Sequence, residues 1–285
     1  MGLGSPHPTT MTPAQFRNFI WTWYRKNGRH DLTWRHTDEP WHIFVSEVML
    51  QQTQVSRVAD IWPQFIRRFP TPRALATAPL REVLAAWRGM GYNRRAAYLQ
   101  RAARIIEAEH GGRVPADIER LQALPGIGRN TAGSILAFAF DRPAVFIETN
   151  IRRTYLHHFF PGKTDVPDSA VAAWVARTLP KKDFRKWYWA LMDYGSAALA
   201  GVPNPNRRAR VYAIQAKFAG SRRELRGKIV QALLDGGGSA PAIRARVQTL
   251  LQGRKISARV FDATLAALLA EGLIHRRGGR IAIRS

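Results

Sequence analysis

From Thr12 to Ala197 the chain is cut into short segments by helix starts and stops, and none of them alternates apolar and polar residues as a half-buried strand must. That pattern restricts the body of the protein to packed helices. Thr12, Pro13 and Gln15 open the first segment as N-cap, first helical residue and capping-box partner. Phe16, Phe19, Ile20 and Trp23 then share one face until Asn27-Gly28 ends it. The same signals predict helices near 40–51, 54–68, 72–77, 79–87, 93–110, 117–123, 129–140, 150–159, 168–179 and 184–197. Short turns join them, as in compact helical domains.

The pattern breaks at Gly201 to Arg208, where Pro203, Asn204, Pro205 and Asn206 forbid a continuing helix, and an ordered excursion runs to about Gly220. Beyond it, helices near 222–235, 239–251 and 257–271 precede two short strands between Leu273 and Ile283, with a Gly278-Gly279 turn. That order is the order of a winged helix. The fold class is therefore all-α with a small C-terminal winged-helix-like (α+β) domain.

Charge and composition narrow the function. The 44 Lys and Arg against 20 Asp and Glu leave +24, which points to a polyanionic partner, nucleic acid first. Residues 222–285 hold 13 basic against 4 acidic residues, enough to contact phosphates or only to keep a surface solvated. With no cysteine, disulfides, thiol nucleophiles, thiolate zinc sites and cysteine-held iron–sulfur clusters are excluded. The eight histidines show no metal-ligand spacing, and His157-His158 reads as a partly exposed helix pair. Residues 1–10 lack the apolar core of a signal peptide, and the best uncharged apolar run, Thr131 to Phe140, falls short of the ~20 residues of a membrane span. A soluble, cytoplasmic protein with no membrane partner is expected.

Three motifs carry chemistry. In Leu124-Pro125-Gly126-Ile127-Gly128, followed by Arg129 and Asn130, two glycines at a helix start let backbone N–H groups face an anion such as a DNA phosphate. A plain helix-to-helix turn would use the same residues. In the run from Ser46 to Val55, Glu47 lies among Val45, Val48 and Met49, beside the amides Gln51 and Gln52. A buried carboxyl there could hold a proton near neutrality and act as a general acid, whereas an exposed one would be an ordinary charge. Glu148 follows the apolar pair Phe146-Ile147 at a helix start, where it could cap the helix or stabilise a cationic sugar and orient a water.

Taken together, Trp34-Arg35, Ser46 to Thr53, Gly89-Met90-Gly91-Tyr92, Leu124 to Gly128 and Met192-Asp193-Tyr194-Gly195 resemble, in order, the motifs of helix-hairpin-helix DNA glycosylases over roughly residues 13–200. The MutY-like, adenine-specific branch is the most similar. The resemblance implies two helical lobes: residues 12–29 with 143–220, and residues 30–142 with the hairpin motif. Residues 1–11 are then a loose tail and 221–285 the winged-helix-like domain. It makes Glu47 the general acid, and places Glu148 where the family has a catalytic Asp, with Asn150 to orient that carboxylate or the phosphate. Trp34, Arg35, Asn130 and Asp193 fall at base-pocket positions. Gln52, Met90 and Tyr92 fall to the duplex gap and the opposite base, with core packing the other reading of Met90; Gln51 is a further DNA contact, and Leu124, Gly126, Ile127, Gly128 and Arg129 fall to the DNA backbone. Asn130 stands where bifunctional relatives have a Schiff-base Lys, so strand cleavage by an amine is not expected.

Two departures stand out. The four cysteines that usually hold an iron–sulfur cluster after the Met-Asp-x-Gly motif are absent, and Arg207, Arg208 and Arg210 are left for phosphate contacts. The tail is too short for the Nudix-like domain of relatives that read oxidised guanine. The expected function is a monofunctional DNA glycosylase acting as a monomer on duplex DNA with a mismatched or damaged base, with adenine opposite guanine or 8-oxoguanine as the leading substrate. No cofactor is required, although hairpin carbonyls could hold a structural cation. The rivals are a thymine or uracil glycosylase acting opposite guanine, and a DNA-binding module without catalysis.

Overall fold

The computed structural model describes residues 11–213 and 217–284; the tail expected over 1–11 therefore lies, but for its last residue, outside the described residues. The helices are α1 (Pro13–Asn27), α2 (Pro40–Leu50), α3 (Val55–Arg68), α4 (Pro72–Thr77), α5 (Leu80–Ala86), α6 (Arg94–His110), α7 (Ile118–Ala123), α8 (Arg129–Phe140), α9 (Thr149–Phe159), α10 (Asp168–Thr178) and α11 (Phe184–Asp193). After them come α12 (Arg222–Asp235), α13 (Ala240–Leu250), α14 (Ala258–Ala270) and the strands β1 (Ile274–Arg277) and β2 (Arg280–Ile283). The all-α body with a small C-terminal α+β part is thus present as expected. Among the described residues no helix is long and apolar enough to cross a membrane.

Contacts divide the chain into two units. Among the described residues, one holds 11–43, 116–122 and 127–213; the other holds 44–115, 123–126 and 217–284.

In the first unit, α1 opens as its sequence dictates: the Thr12 hydroxyl accepts from the Gln15 amide at 3.3 Å, and the Gln15 side chain accepts from the Thr12 N–H at 2.8 Å. The capped helix turns Phe16 and Ile20 into a core shared with Tyr155 and Trp187. Phe16 meets the rings of Tyr155, Phe159 and Trp187 at 5.4, 4.9 and 6.1 Å, and truncating such a side chain costs ~3–5 kcal/mol. The helix predicted over 184–197 instead stops at Asp193 and widens into a π turn over Tyr194–Ala198. Close approach to α9 is the reason: a Cβ on Gly195 would collide with the Asn150 carbonyl oxygen and lie 2.8 Å from Thr154 Oγ1. His158, expected on a partly exposed face, is buried and bonded to the Tyr194 hydroxyl at 3.0 Å.

In the second unit, α3 to α6 enclose Val58, Phe65, Leu75, Val83 and Trp87. Gln100 closes the end of α4 by donating to the carbonyls of Leu75 and Ala78 at 3.2 and 2.6 Å. The C-terminal helices each start at a serine, Ser221, Ser239 and Ser257, whose hydroxyl accepts from the amide three residues on. Strands β1 and β2 pair antiparallel with Ile274 opposite Ile283, and Gly278 and Gly279 both take positive φ, as the two-residue turn requires. Gly238 adds an antiparallel bridge to Ile281. Arg81 of α5 donates to the carbonyls of Leu233 and Leu234 at the end of α12. The winged-helix segment is thus fastened to the α3–α6 helices of its own unit.

Candidate active site

Glu47 is half-buried on α2, between Ser46 and Val48, which are buried. The end of that helix is organised by a residue that the motif reading passed over. Arg95, in the first turn of α6, donates to the carbonyls of Val48 at 3.0 Å, Met49 at 2.9 Å, Gln51 at 2.5 Å and Met90 at 3.2 Å. Its second nitrogen reaches the Thr53 hydroxyl at 2.8 Å. Val48 and Met49 supply two of the carbonyls that a helix end leaves without an intrahelical partner, so Arg95 caps α2 and ties it to the Gly89–Tyr92 turn. Burial pushes its guanidinium down to about 10, with the nearby Tyr92 opposing, and it remains cationic at neutral pH. One signal was readable: a cation in the first turn of a helix opposes the dipole, so Arg95 has to find its partners elsewhere.

From this frame Gln51 donates to the Gly126 carbonyl at 3.2 Å, joining the end of α2 to the hairpin turn. Gln52 is exposed and, like Tyr92, takes positive φ, at +54° and +46°. Met90 is only 2% exposed and belongs to the core; its expected place at the duplex gap is not where its side chain lies. Leu124 and Ile127 are likewise buried and hold the hairpin, while Gly126, Gly128, Arg129 and Asn130 are exposed. Helix α8 starts at Gly128 with no side-chain cap on its first turn.

Glu148, in the first unit, is the N-cap of α9. Its Oε1 accepts from the backbone N–H groups of Asn150 and Ile151, both at 2.7 Å, and Asn150 Nδ2 donates to Oε2 at 3.3 Å. The capping reading and the chemical reading therefore hold for one carboxyl, since a cap is also a fixed orientation. Burial of the carboxyl raises its pKa; the two backbone N–H groups, Arg152 and Arg29 pull it back. Asn130 Oδ1 accepts from the Ile147 N–H at 3.2 Å and so steadies the strand-like approach to Glu148. Glu47 and Glu148 belong to different units.

Asp193 and Arg35, expected to face a base, bond to each other instead. Asp193 is 0% exposed and Arg35 keeps 4% of its side-chain surface; their two hydrogen bonds measure 2.7 and 2.9 Å. Arg29 adds its backbone N–H at 2.8 Å and its guanidinium at 2.6 Å. A carboxylate this deep has to be paired: burial alone would raise its pKa, and Arg35 and Arg29 hold it below the usual value. Arg35 also stacks over Trp189 at 5.0 Å and lines a cavity of about 670 Å³ with Trp21, Tyr24, His30 and Trp189. Trp34 is buried.

A family model for HhH-GPD superfamily base excision DNA repair proteins matches residues 45–176. The adenine DNA glycosylase of Mycobacterium tuberculosis is 33% identical over an alignment of 307 residues, covering 98% of this chain and 97% of that protein. The chain belongs to the HhH-GPD superfamily. A thymine-DNA glycosylase of Aeropyrum pernix is 39% identical over 132 residues, which cover 46% of this chain and 59% of that one. The solved structure of a thermostable thymine-DNA glycosylase shares the fold, with TM-score 0.60 and 24% identity over 68% of this chain and 90% of its own. As a superfamily member the protein is a DNA glycosylase of base excision repair, and DNA is its partner.

This HhH-GPD chain cannot hold a cysteine-ligated cluster, because it has no cysteine. Side chains and backbone order the segment instead. Asn206, buried, donates to the Thr149 carbonyl at 3.1 Å; Arg208 donates to Leu156 and Phe160 carbonyls at 2.8 and 2.5 Å; Arg153 reaches the Leu199 carbonyl at 2.5 Å. Arg208 thereby closes the end of α9, and Arg210 pairs with Asp165 at 2.7 Å. Both arginines were expected at phosphates and are engaged within the protein; Arg207 is exposed.

Proposed function

We propose that this glycosylase removes adenine mispaired with guanine or 8-oxoguanine and leaves an abasic site. The near full-length likeness to an adenine DNA glycosylase supports the substrate. The observation that carries the chemistry is the Glu148 carboxyl, fixed by two backbone N–H groups and the Asn150 side chain. Glu47 protonates a ring nitrogen of the departing adenine, the C1′–N9 bond breaks, and the electron pair leaves with the base. Glu148, as carboxylate, stabilises the cationic sugar and receives the proton of the water that adds to C1′.

The extra methylene of Glu over Asp fits this geometry, because the longer side chain still reaches the amides of the first turn of α9. Tyr92 and Gln52 enter the duplex, and the open start of α8 with Arg129 takes a phosphate. Asn130 offers no amine and its oxygen is bonded to Ile147, so the reaction is monofunctional. Removal of thymine or uracil opposite guanine is the second reading, favoured by the likeness to the Aeropyrum pernix protein.

Duplexes holding A:8-oxoG, A:G, T:G and U:G, incubated with and without alkali, test the proposal. Strand breaks at adenine only after alkali are expected. Breaks without alkali would refute the monofunctional reading, and product only from T:G or U:G would refute adenine.

A further inference from the structure

The winged-helix segment delivers one side chain to the turn assigned to the duplex. Arg223, second residue of α12, donates from its guanidinium to the Tyr92 hydroxyl at 2.6 Å. The same guanidinium lies 5.3 Å from the centroid of the Tyr92 ring and 5.3 Å from that of Phe218. Arg95 approaches the Tyr92 ring at 5.4 Å, so two cations of one unit, on different helices, hold this ring. Next to it is a cavity of about 290 Å³ lined by Tyr92, Arg94, Arg95, Arg223, Arg226 and Glu271.

Arg223 does little for its own helix. A cation in the first turn opposes the helix dipole, and Ser221 already caps α12. Docking of α12 is also secured elsewhere: Arg81 holds its far end, Arg88 pairs with Asp235 at 3.2 Å, and Arg226 pairs with Glu271 at 2.5 Å. Arg223 gives Tyr92 a defined state. A phenol oxygen that accepts from a guanidinium is biased toward donating its own proton, and its ring is fixed by the stacked charge.

We propose that Arg223 is a specificity-determining positioning residue: from the C-terminal segment it sets the ring and hydroxyl of Tyr92 as a hydrogen-bond donor to the base opposite the excised nucleotide. The proposal rests on the reading that Tyr92 enters the duplex. A donor on the major-groove edge of the opposite base meets the O6 carbonyl that guanine and 8-oxoguanine both present, whereas cytosine presents an amino donor there.

The test uses the full chain and duplexes that carry a tetrahydrofuran abasic analogue opposite 8-oxoguanine, guanine or cytosine, with affinities measured at one salt concentration. The readout is the ratio of Kd opposite cytosine to Kd opposite 8-oxoguanine. Arg223→Gln lowers all affinities through lost charge, but it should also cut the ratio about tenfold, the scale of one charge-assisted hydrogen bond. Tyr92→Phe, which keeps the ring and removes the hydroxyl, should cut the ratio to the same degree, and the double variant no further. Arg223→Lys should restore part of the ratio.

A wild type with no preference, an unchanged ratio in Arg223→Gln, or additive losses in the double variant would overturn the proposal. So would a loss spread equally over all three duplexes with a lowered Tm. Adenine excision by the wild type is followed separately on A:8-oxoG and A:G. Absence of product there, with the ratio intact and sensitive to Arg223→Gln, refutes the adenine reading and leaves the role of Arg223 standing.

Discussion

Replacing Arg95 by Met removes every donor that the guanidinium provides while keeping much of its length. Three of its acceptors, the carbonyls of Val48, Met49 and Met90, belong to residues that are at most 3% exposed, so water does not replace the lost partner. A stranded buried carbonyl costs ~1–3 kcal/mol. At the lower end, three cost about 3 kcal/mol, and the acceptors on Gln51 and Thr53 rehydrate because those residues are half-buried. The lower end applies because the depressed pKa of Arg95 shows that burying its charge already opposes the gain. For a chain of this size that loss lowers Tm by roughly 6–12 °C. Thermal unfolding followed by circular dichroism measures it, with the exposed neighbour variant Arg94→Met as control, expected within about 2 °C of wild type. Arg95→Lys should behave like Arg95→Met, because one ammonium cannot reach acceptors on α2, the following turn and Met90 together. A Tm for Arg95→Met within about 2 °C of wild type would refute the capping role.

Other variants separate packing from chemistry. Gly195→Ala should lower Tm by several degrees and abolish excision, since the added methyl displaces the first turn of α9 that holds Glu148; Gly128→Ala, with open space around its Cβ, should keep Tm but weaken duplex binding. Asp193→Ala strands the charge of Arg35 and should cost ~3–5 kcal/mol by denaturant unfolding. In the wild type the folded pKa of Asp193 is lowered, so its contribution is complete above the ordinary value of 3.8 and is lost as pH falls through the lower folded value. Glu148 has the opposite sign: its pKa is raised above 4.5, so ionising it opposes folding as pH rises through that window, and the excision rate should fall on acidification from a midpoint above 4.5. A midpoint at or below 4.5 would contradict the raised pKa of Glu148.

The helices were legible because their ends are written locally. Thr12 with Gln15, Thr71-Pro72, Ser221, Ser239 and Ser257 each cap within three residues, and Gly111 ends α6 in the left-handed conformation. Glu47 and Glu148 could be singled out for the same reason, as carboxyls set in apolar or helix-start contexts. What the sequence hid are bonds between distant segments. Arg95 and Arg208 cap helices other than their own, and Arg29 joins Arg35 on Asp193 across 164 and 158 positions of chain. No periodicity encodes such pairs. Family likeness placed Arg35 and Asp193 at base-pocket positions but could not show that they satisfy each other. Met90 was ambiguous by nature, since a methionine between two glycines serves a core or a surface equally well.

Single-turnover excision by Glu148→Gln on an A:8-oxoG duplex tests the central claim most directly. The amide oxygen can still accept from Asn150 and Ile151, and a half-buried ionisable group with a raised pKa is removed, so Tm should stay level or rise and duplex binding should persist. No abasic product is expected after alkali, because a neutral amide cannot stabilise the sugar cation or take a proton from water. Product formed at a rate near that of wild type, with the fold intact, would contradict the assignment of Glu148 and with it the proposed chemistry.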